Sequence, residues 1–408
     1  MTAILYTWMI RTLAGNGESG CTGDGGPSIL ARLNEPKGIT IDCHGHIYVA
    51  DSENHVVRKI DRTTGIISTV AGMSDEDHMR SAVEGDVPVQ QIDDDPLADD
   101  VGDNDQPKFT QQADLSGTVR YWTNQAATSP KRYDGDGRTA VQAQLNFPTA
   151  VAVDREGNVY IADTMNHRVR MVDSETGIIS TLVGTGQARF SGDGGPADKA
   201  AINEPAALAV DDAGRLYIAD QSNHRIRVVD LKTGVIRTVA GIGIATYDGD
   251  GKPAVDTALA GPSGLALADN RLYIADTFNS RVRCVELSSG LMTTMAGNGG
   301  VYRYESPSDA PSPSLSRPTG ITFDREGRLF LTDSDNHLIR QWDEASGVAF
   351  CVAGQGVPSY SGDGGAAREA SLCYPFGIVA DRDGTLLVAD TFNHRIRVLA
   401  LEEAIHDQ

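Results

Sequence analysis

The feature that most constrains this 408-residue chain is a stretch that returns along its length. Residues 148–184 read PTAVAVDREGNVYIADTMNHRVRMVDSETGIISTLVG, and edited copies start at Pro36, Pro205, Pro262, Pro318 and Pro375. Within one copy, 150–153, 159–161, 168–172 and 178–183 are β-prone runs, separated by turns at 154–157, 163–166 and 173–177 that are rich in Asp, Asn and Gly. Four short strands joined by tight turns make an antiparallel meander. No stretch carries the helical period. One such sheet cannot bury both faces, whereas several ranked about an axis can. Six copies therefore predict an all-β, six-bladed β-propeller.

The two ends of the chain share a blade in this reading. Residues 10–15, IRTLAG, match 236–241, IRTVAG, which is the fourth strand of another copy. The copy starting at Pro375 has three strands, ending near residue 399, and no such string after them. The N-terminal strand is expected to complete that last blade, which closes the ring and removes a free sheet edge.

Asn-His-Arg recurs at Asn166-His167-Arg168, Asn223-His224-Arg225 and Asn393-His394-Arg395, with variants at Asn54-His55-Val56, Asn279-Ser280-Arg281 and Asn336-His337-Leu338. With the recurring YVAD and TVAG strings, the chain resembles the NHL-repeat family of propellers over nearly its whole length, residues 73–132 excepted. The resemblance implies three classes of function. Some such propellers are lyases that use a divalent cation with a His or acid at one face. Relatives of similar shape hydrolyse lactones or condense amines with aldehydes. Others are binding modules, including RNA-binding ones attached to further domains.

The net charge of −21 repels phosphate backbones and disfavours nucleic acid. No apolar run reaches membrane-spanning length, and the N-terminus makes a poor signal peptide. Five scattered cysteines point to reduced thiols and a cytoplasmic protein. The repeat fills the chain, which weighs against an adaptor with attached modules.

A second signature, Gly-Asp-Gly, precedes five blades, around Asp24, Asp136, Asp193, Asp250 and Asp363. Such aspartates can hold Ca²⁺ or Mg²⁺, but ligand spacing of the EF-hand kind is absent, and an Asx-type turn accounts for them more simply. Cys43-His44-Gly45-His46 offers three metal-capable side chains in a turn expected on the face away from the Asn-His turns. One interval breaks the rhythm. Five blades follow the preceding TVAG-type glycine by 21 residues, but Gly72 and Pro148 are 76 apart. The surplus is close to one repeat, so a decayed seventh blade is an alternative. Residues 93–105 are acidic and too poor in apolar residues for inner strands, which favours an inserted loop over 73–132 that can act as a lid.

Residues shared by all copies serve the frame. The six aspartates Asp51, Asp163, Asp220, Asp276, Asp333 and Asp390 are expected to hold the following turn and to pair with arginines such as Arg170, Arg227 and Arg397. Individual function belongs to the positions where copies differ, and these flank each blade's first proline. Glu35, Glu204, Tyr374, Lys37 and Arg317 are the candidate catalytic groups, with Glu35 or Glu204 as base and Lys37 or Arg317 to hold a carboxylate or enolate. Phe147, Thr149, Met165, Phe278, Phe376, Phe392 and Asp335 are candidate substrate-binding residues, an apolar lining with few charges. The expected function is a lyase- or isomerase-like enzyme acting on a small molecule at the central opening beside the Asn-His turns. The alternative is a non-catalytic propeller that binds a ligand or a protein. No histidine falls in the inner strands on that side, so the metal-lyase residues of the family find no match here.

Overall fold

Each copy of the repeat folds as a four-stranded antiparallel sheet with its strands in chain order. The structure is a computed structural model that describes residues 6–74, 132–300 and 312–403. Blade 1 comprises Pro36–Ile41, Ile47–Asp51, Val56–Ile60 and Ile67–Ala71, and blade 2 comprises Pro148–Val153, Val159–Asp163, Arg168–Val172 and Ile179–Val183. Blade 3 is Pro205–Val210, Arg215–Asp220, Arg225–Asp230 and Val235–Ala240; blade 4 is Pro262–Ala268, Arg271–Asp276, Arg281–Glu286 and Leu291–Ala296. Blade 5 is Pro318–Phe323, Leu329–Asp333, Leu338–Asp343 and Val348–Ala353. Blade 6 is Pro375–Ala380, Leu386–Asp390 and Arg395–Glu403, completed by Tyr6–Ala14 from the N-terminus.

The closing pair is longer than the repeat predicts. Tyr6 faces Glu403 and Ala14 faces Ile396, so the third strand continues four residues beyond the expected end at 399 and its partner starts before residue 10. Backbone pairing, rather than side-chain pattern, carries this extension, because Leu401, Glu402 and Glu403 are exposed.

Six blades close the ring. The innermost strands of blades 1 and 2 touch directly: a Cβ on Gly38 would stand 2.6 Å from the Thr149 carbonyl oxygen. On the other side of blade 1, a Cβ on Gly377 would stand 2.3 Å from the Lys37 carbonyl oxygen. Backbones this close leave no room for a seventh blade between blades 1 and 2. The segment that separates them begins beside where it ends, since the Arg132 guanidinium donates to the Met73 carbonyl at 3.1 Å. Residues 75–131 lie outside the described residues, as therefore do the expected lid and the seventh-blade echo.

Alternation along each strand sends apolar side chains to both faces of its sheet, and these meet between blades. The core is thus six slabs, one per junction. Tyr48, Val57 and Ala71 of blade 1 pack on Val151, Ile161 and Ile179 of blade 2, and Leu387, Ala389 and Ile396 of blade 6 pack on Ile39, Val49 and Ile60 of blade 1. Outer edges are covered by the preceding inter-blade loop, through Pro27 opposite Ile66, Thr139 opposite Ile178, Pro196 opposite Val235, Ser312 opposite Ala349, and the short strands Lys252–Pro253 and Gly365–Ala366. No blade presents a fully open edge for pairing with another chain.

Candidate functional site

The site is built on a frame of buried polar groups. After each second strand comes one 3-10 turn, Ser52–Asn54 in blade 1, ended by a residue in the left-handed region, His55 at φ 58°. The preceding aspartate, fully buried in every blade, fixes that turn. In blade 2, Asp163 accepts from the Asn146 N–H at 2.7 Å and from Asn166 Nδ2 at 2.9 Å, and pairs with Arg170 at 3.4 Å. Arg170 is itself fully buried and meets a second carboxylate, Asp136 of the Gly-Asp-Gly loop, at 2.6 Å. Asp24, Asp193, Asp250 and Asp363 pair in the same way with Arg58, Arg227, Arg283 and Arg397. These loop aspartates are more than Asx caps, because they neutralise the repeat's buried cations. An aromatic just ahead of the loop stacks on the same cations: Tyr133, Phe190, Tyr247 and Tyr360 lie 4.7–5.0 Å from Arg170, Arg227, Arg283 and Arg397.

The histidines join one blade to the next. His55 Nδ1 accepts the Phe147 N–H at 3.0 Å, and His167, His224, His337 and His394 accept from Glu204, Gly261, Tyr374 and Glu35 at 3.1–3.2 Å. An imidazole that accepts at Nδ1 is neutral and carries its proton on Nε2. Burial holds these rings neutral, lowering the pKa of His55 to about 3 and of His337 to about 4. A second latch comes from the hydroxyl after the buried aspartate. Ser52, Thr164, Thr277, Ser334 and Thr391 donate to the carbonyl of the next blade's first proline, Pro148, Pro205, Pro318, Pro375 and Pro36, at 2.6–2.8 Å. The sequence carried that signal as Asp-Ser or Asp-Thr in five copies; only Asp-Gln at Gln221 departs from it.

The imidazole latch shapes the rim. The residue before the proline, gripped by an imidazole in every blade but the fifth, is left-handed in all six: Glu35, Phe147, Glu204, Gly261, Arg317 and Tyr374 have φ between 48° and 55°. Four of these positions meet the differing residue of their own blade's turn. Glu204 accepts from Ser222, Arg317 pairs with Asp335 at 3.4 Å, Tyr374 stacks edge-on with Phe392 at 5.3 Å, and the Phe278 ring covers Gly261.

One sector brings several candidates together. Lys37 is 6 % exposed, and its Nζ lies 3.2 Å from a Glu35 carboxylate oxygen, 4.6 Å from the Phe147 ring centre and 5.2 Å from that of Phe376. Blades 6, 1 and 2 each contribute to this cluster. Burial lowers the Lys37 pKa, while Glu35 and Glu53 oppose the shift. Glu53 was visible in the sequence only as a differing turn position. Burial and then repulsion from Glu35 raise its pKa, and its Oε1 is buried without a hydrogen-bond partner.

The remaining candidates make other contacts. Thr149 is committed to the frame: its hydroxyl shares a hydrogen bond with that of Thr164 at 2.7 Å and reaches the Pro205 carbonyl at 3.2 Å. Met165 and Glu204 belong to blades 2 and 3, and Arg317, Asp335 and Phe278 form their own group, with the Arg317 guanidinium 5.7 Å from the Phe278 ring. Tyr374 and Phe392 form an aromatic pair beside His337, whose ring is 4.4 Å from that of Tyr374. Among the described residues no three His, Cys, Asp or Glu side chains gather to hold a metal ion. His46 of the Cys43 turn instead lies 3.4 Å from Asp61, and all five cysteines are free thiols. No helix among the described residues is long and apolar enough to cross a membrane.

Comparison with known proteins agrees with this geometry. A profile described as the Teneurin NHL domain matches residues 12–95 and 123–191, and one described as the NHL repeat matches 203–229, 315–342 and 372–399. NHL repeat-containing protein 2 of Gallus gallus is 31 % identical over 66 % of this chain and 41 % of its own length. Protein SUPPRESSOR OF QUENCHING 1, chloroplastic, of Arabidopsis thaliana is 29 % identical over 64 % of this chain and 26 % of its own length. The chain thus spans between about a quarter and two fifths of these relatives. Among solved structures, an auxiliary nutrient binding protein from Bacteroides ovatus superposes with a TM-score of 0.59 at 12 % identity, covering 98 % of this chain and 78 % of that one. A gluconolactonase from Xanthomonas campestris gives 0.52 at 12 % identity, covering 96 % and 89 %. At such identities the superpositions speak for the fold alone. Repeat sequence, six-bladed ring and relatives agree that the chain belongs to the NHL-repeat family of β-propellers.

Proposed function

We propose that this propeller processes a small organic molecule at the mouth beside its Asn-His turns, with Lys37, Glu35 and Glu53 as the working groups. The observation that carries the reading is Lys37 itself, a buried amine held between two aromatic rings and beside a carboxylate. Perturbed titratable groups gathered on apolar walls are the usual makings of a site. The Glu35 carboxylate already faces the amine, so the cluster suits a neutral carbonyl compound better than a carboxylate. Glu53, whose pKa is raised, is placed to take a proton from carbon, and the ammonium to stabilise the enolate that forms; returning the proton elsewhere gives an isomerase, and expelling a leaving group gives a lyase. Phe147 and Phe376 would wall the site. Arg317 with Asp335 and Tyr374 with Phe392 would set selectivity at the rim.

The runner-up is a non-catalytic binding propeller. It draws support from the same contacts, because a lysine between Phe147 and Phe376 also ties blades 6, 1 and 2 together. Solvent deuterium incorporation into a panel of ketones, aldehydes and lactones, followed by NMR, separates the two. The enzyme reading expects exchange that is lost in Glu53→Gln and Lys37→Met while both variants keep the parent's circular dichroism. Binding of a panel member with no exchange in the parent decides for the runner-up.

A further inference from the structure

The opposite face carries a cavity of about 890 Å³. It is lined by the ends of four innermost strands, at Ile41, Val153, Val210 and Val379, and extends past Leu182 and Leu231 toward the cleft between blades 2 and 3. Its volume falls in the range of sites for small organic ligands.

The inner part of the lining is negative once existing pairs are taken into account, while two cations, Lys232 and Arg382, stand at its exposed rim. Four carboxylates, Asp42, Asp154, Asp211 and Asp381, open the first turn of blades 1, 2, 3 and 6 and line the cavity. Asp211 meets Arg215 at 2.6 Å, and Asp381 meets Arg62. Asp42 and Asp154 have neutral donors. Asp42 accepts the N–H groups of His44 and His46 at 2.9 Å and the Tyr48 hydroxyl at 3.4 Å. Asp154 accepts the Asn158 N–H at 2.8 Å and the Tyr160 hydroxyl at 2.9 Å. These bonds satisfy the oxygens but leave the negative charge in place. At the exposed rim Arg155 is paired with Asp212 at 2.5 Å, and Glu156 has no cation paired with it among the described residues. With aliphatic walls and Asp42 and Asp154 inside the rim on adjacent blades, the inner cavity favours a positive head on an apolar body over an anion, which only the rim cations Lys232 and Arg382 would meet.

We infer that this cavity is a second ligand site, on the face opposite the Lys37 cluster, for a small organic cation with an aliphatic body. The inference is independent of the proposed chemistry at Lys37. Both parts of the ligand matter: the ammonium answers Asp42, Asp154 and Glu156, and the hydrocarbon covers Val153, Val210 and Leu231.

The test is calorimetric titration of the full chain with hexyltrimethylammonium, its butyl homologue, tetramethylammonium and hexyl sulfate. One saturable site is expected for the hexyl cation, with affinity falling by up to about fourfold for each methylene removed. Hexyl sulfate is expected to show no saturable binding. Glu156→Gln, an exposed change, is expected to weaken the cation roughly two- to fivefold. Val210→Phe fills the cavity and is expected to abolish binding. Should that variant fail to fold, the parent supplies a separate readout. Cys43 lines the cavity, so saturating hexyltrimethylammonium should slow its alkylation by iodoacetamide, mapped by peptide mass, and leave Cys21 on the other face unaffected. Equal binding of hexyl sulfate, no dependence on chain length, or unchanged alkylation of Cys43 overturns the inference.

Discussion

The junction between blades 6 and 1 and the junction between blades 4 and 5 have nearly the same backbone and different side chains. At the first, His394 stands at φ 53° and accepts the N–H of Glu35, itself at φ 49°. At the second, Ser280 stands at φ 51° before Arg317 at φ 49°, and among the described residues no imidazole takes the Arg317 N–H. The hydroxyl latch is present at both, from Thr391 to Pro36 and from Thr277 to Pro318. The backbone path is therefore held redundantly by the aspartate frame, the hydroxyl and the proline. That redundancy frees the rim. Glu35 at one junction leads to Lys37 and its aromatic walls, while Arg317 at the other leads to Asp335.

Four measurements break or sharpen this contrast. The largest effect is expected from the frame common to both junctions. Arg397→Met leaves Asp390 and Asp363 without the cation that pairs with them at 3.0 and 2.7 Å, and should cost about 3–5 kcal/mol in urea unfolding. Arg283→Met in blade 4 should cost a similar amount, and a large inequality would show that the frame is not uniform. Acid should act next, and unevenly. The histidines titrate near 6.5 when unfolded, whereas burial lowers His55 to about 3 and His337 to about 4 in the fold. Between those values these two rings bind more protons in the unfolded chain, so their contribution to stability is complete above about pH 6.5 and is lost as pH falls toward 4. The buried aspartates, raised by burial to about 6–7, act with the opposite sign, so the latch is read by difference: the change in thermal midpoint from pH 7 to 4.5 should be less destabilising in His337→Asn than in the parent, and an equal change would refute the neutral latch.

Smaller changes address single junctions. His394→Ala leaves the Glu35 N–H without its acceptor and should destabilise by about 1–2 kcal/mol. Ser280→His places an imidazole on a backbone already in the required conformation, and should stabilise by about 0.5–1.5 kcal/mol in the same urea assay. Loss of stability in Ser280→His would mean that the blade 4 to 5 junction differs in more than its side chain.

Much of this was legible in the sequence because the repeat tests itself six times. A proline, a buried aspartate or an arginine that returns in every copy must answer to something every blade shares, so the ring, its closure by residues 10–15 and the Asp–Arg pairs could be read directly. The partners of shared residues were harder to read. The Gly-Asp-Gly aspartates resembled turn caps because their arginines lie 33 or 34 residues onward, and only folding brings the two together. The histidine latch was hidden for a like reason, as its acceptor and donor belong to successive blades. Glu53 escaped the list of candidate groups because a carboxylate in a turn looks solvated until Glu35 and Lys37 are packed against it.

The sequence alone determined the unit, the strand order and which positions are free to differ, because those follow from periodicity and turn chemistry acting over short stretches; it favoured six blades over seven, and the contact of Gly38 with Thr149 decided the number. The tertiary structure decided which differing positions meet. Lys37, Phe147 and Phe376 come from three blades and are more than two hundred residues apart at their extremes, yet the ring places two aromatic rings within about 5 Å of one amine. It likewise set Asp42 and Asp154 around one cavity. Distance across a closed ring depends on blade number and inter-blade packing, which no local pattern encodes.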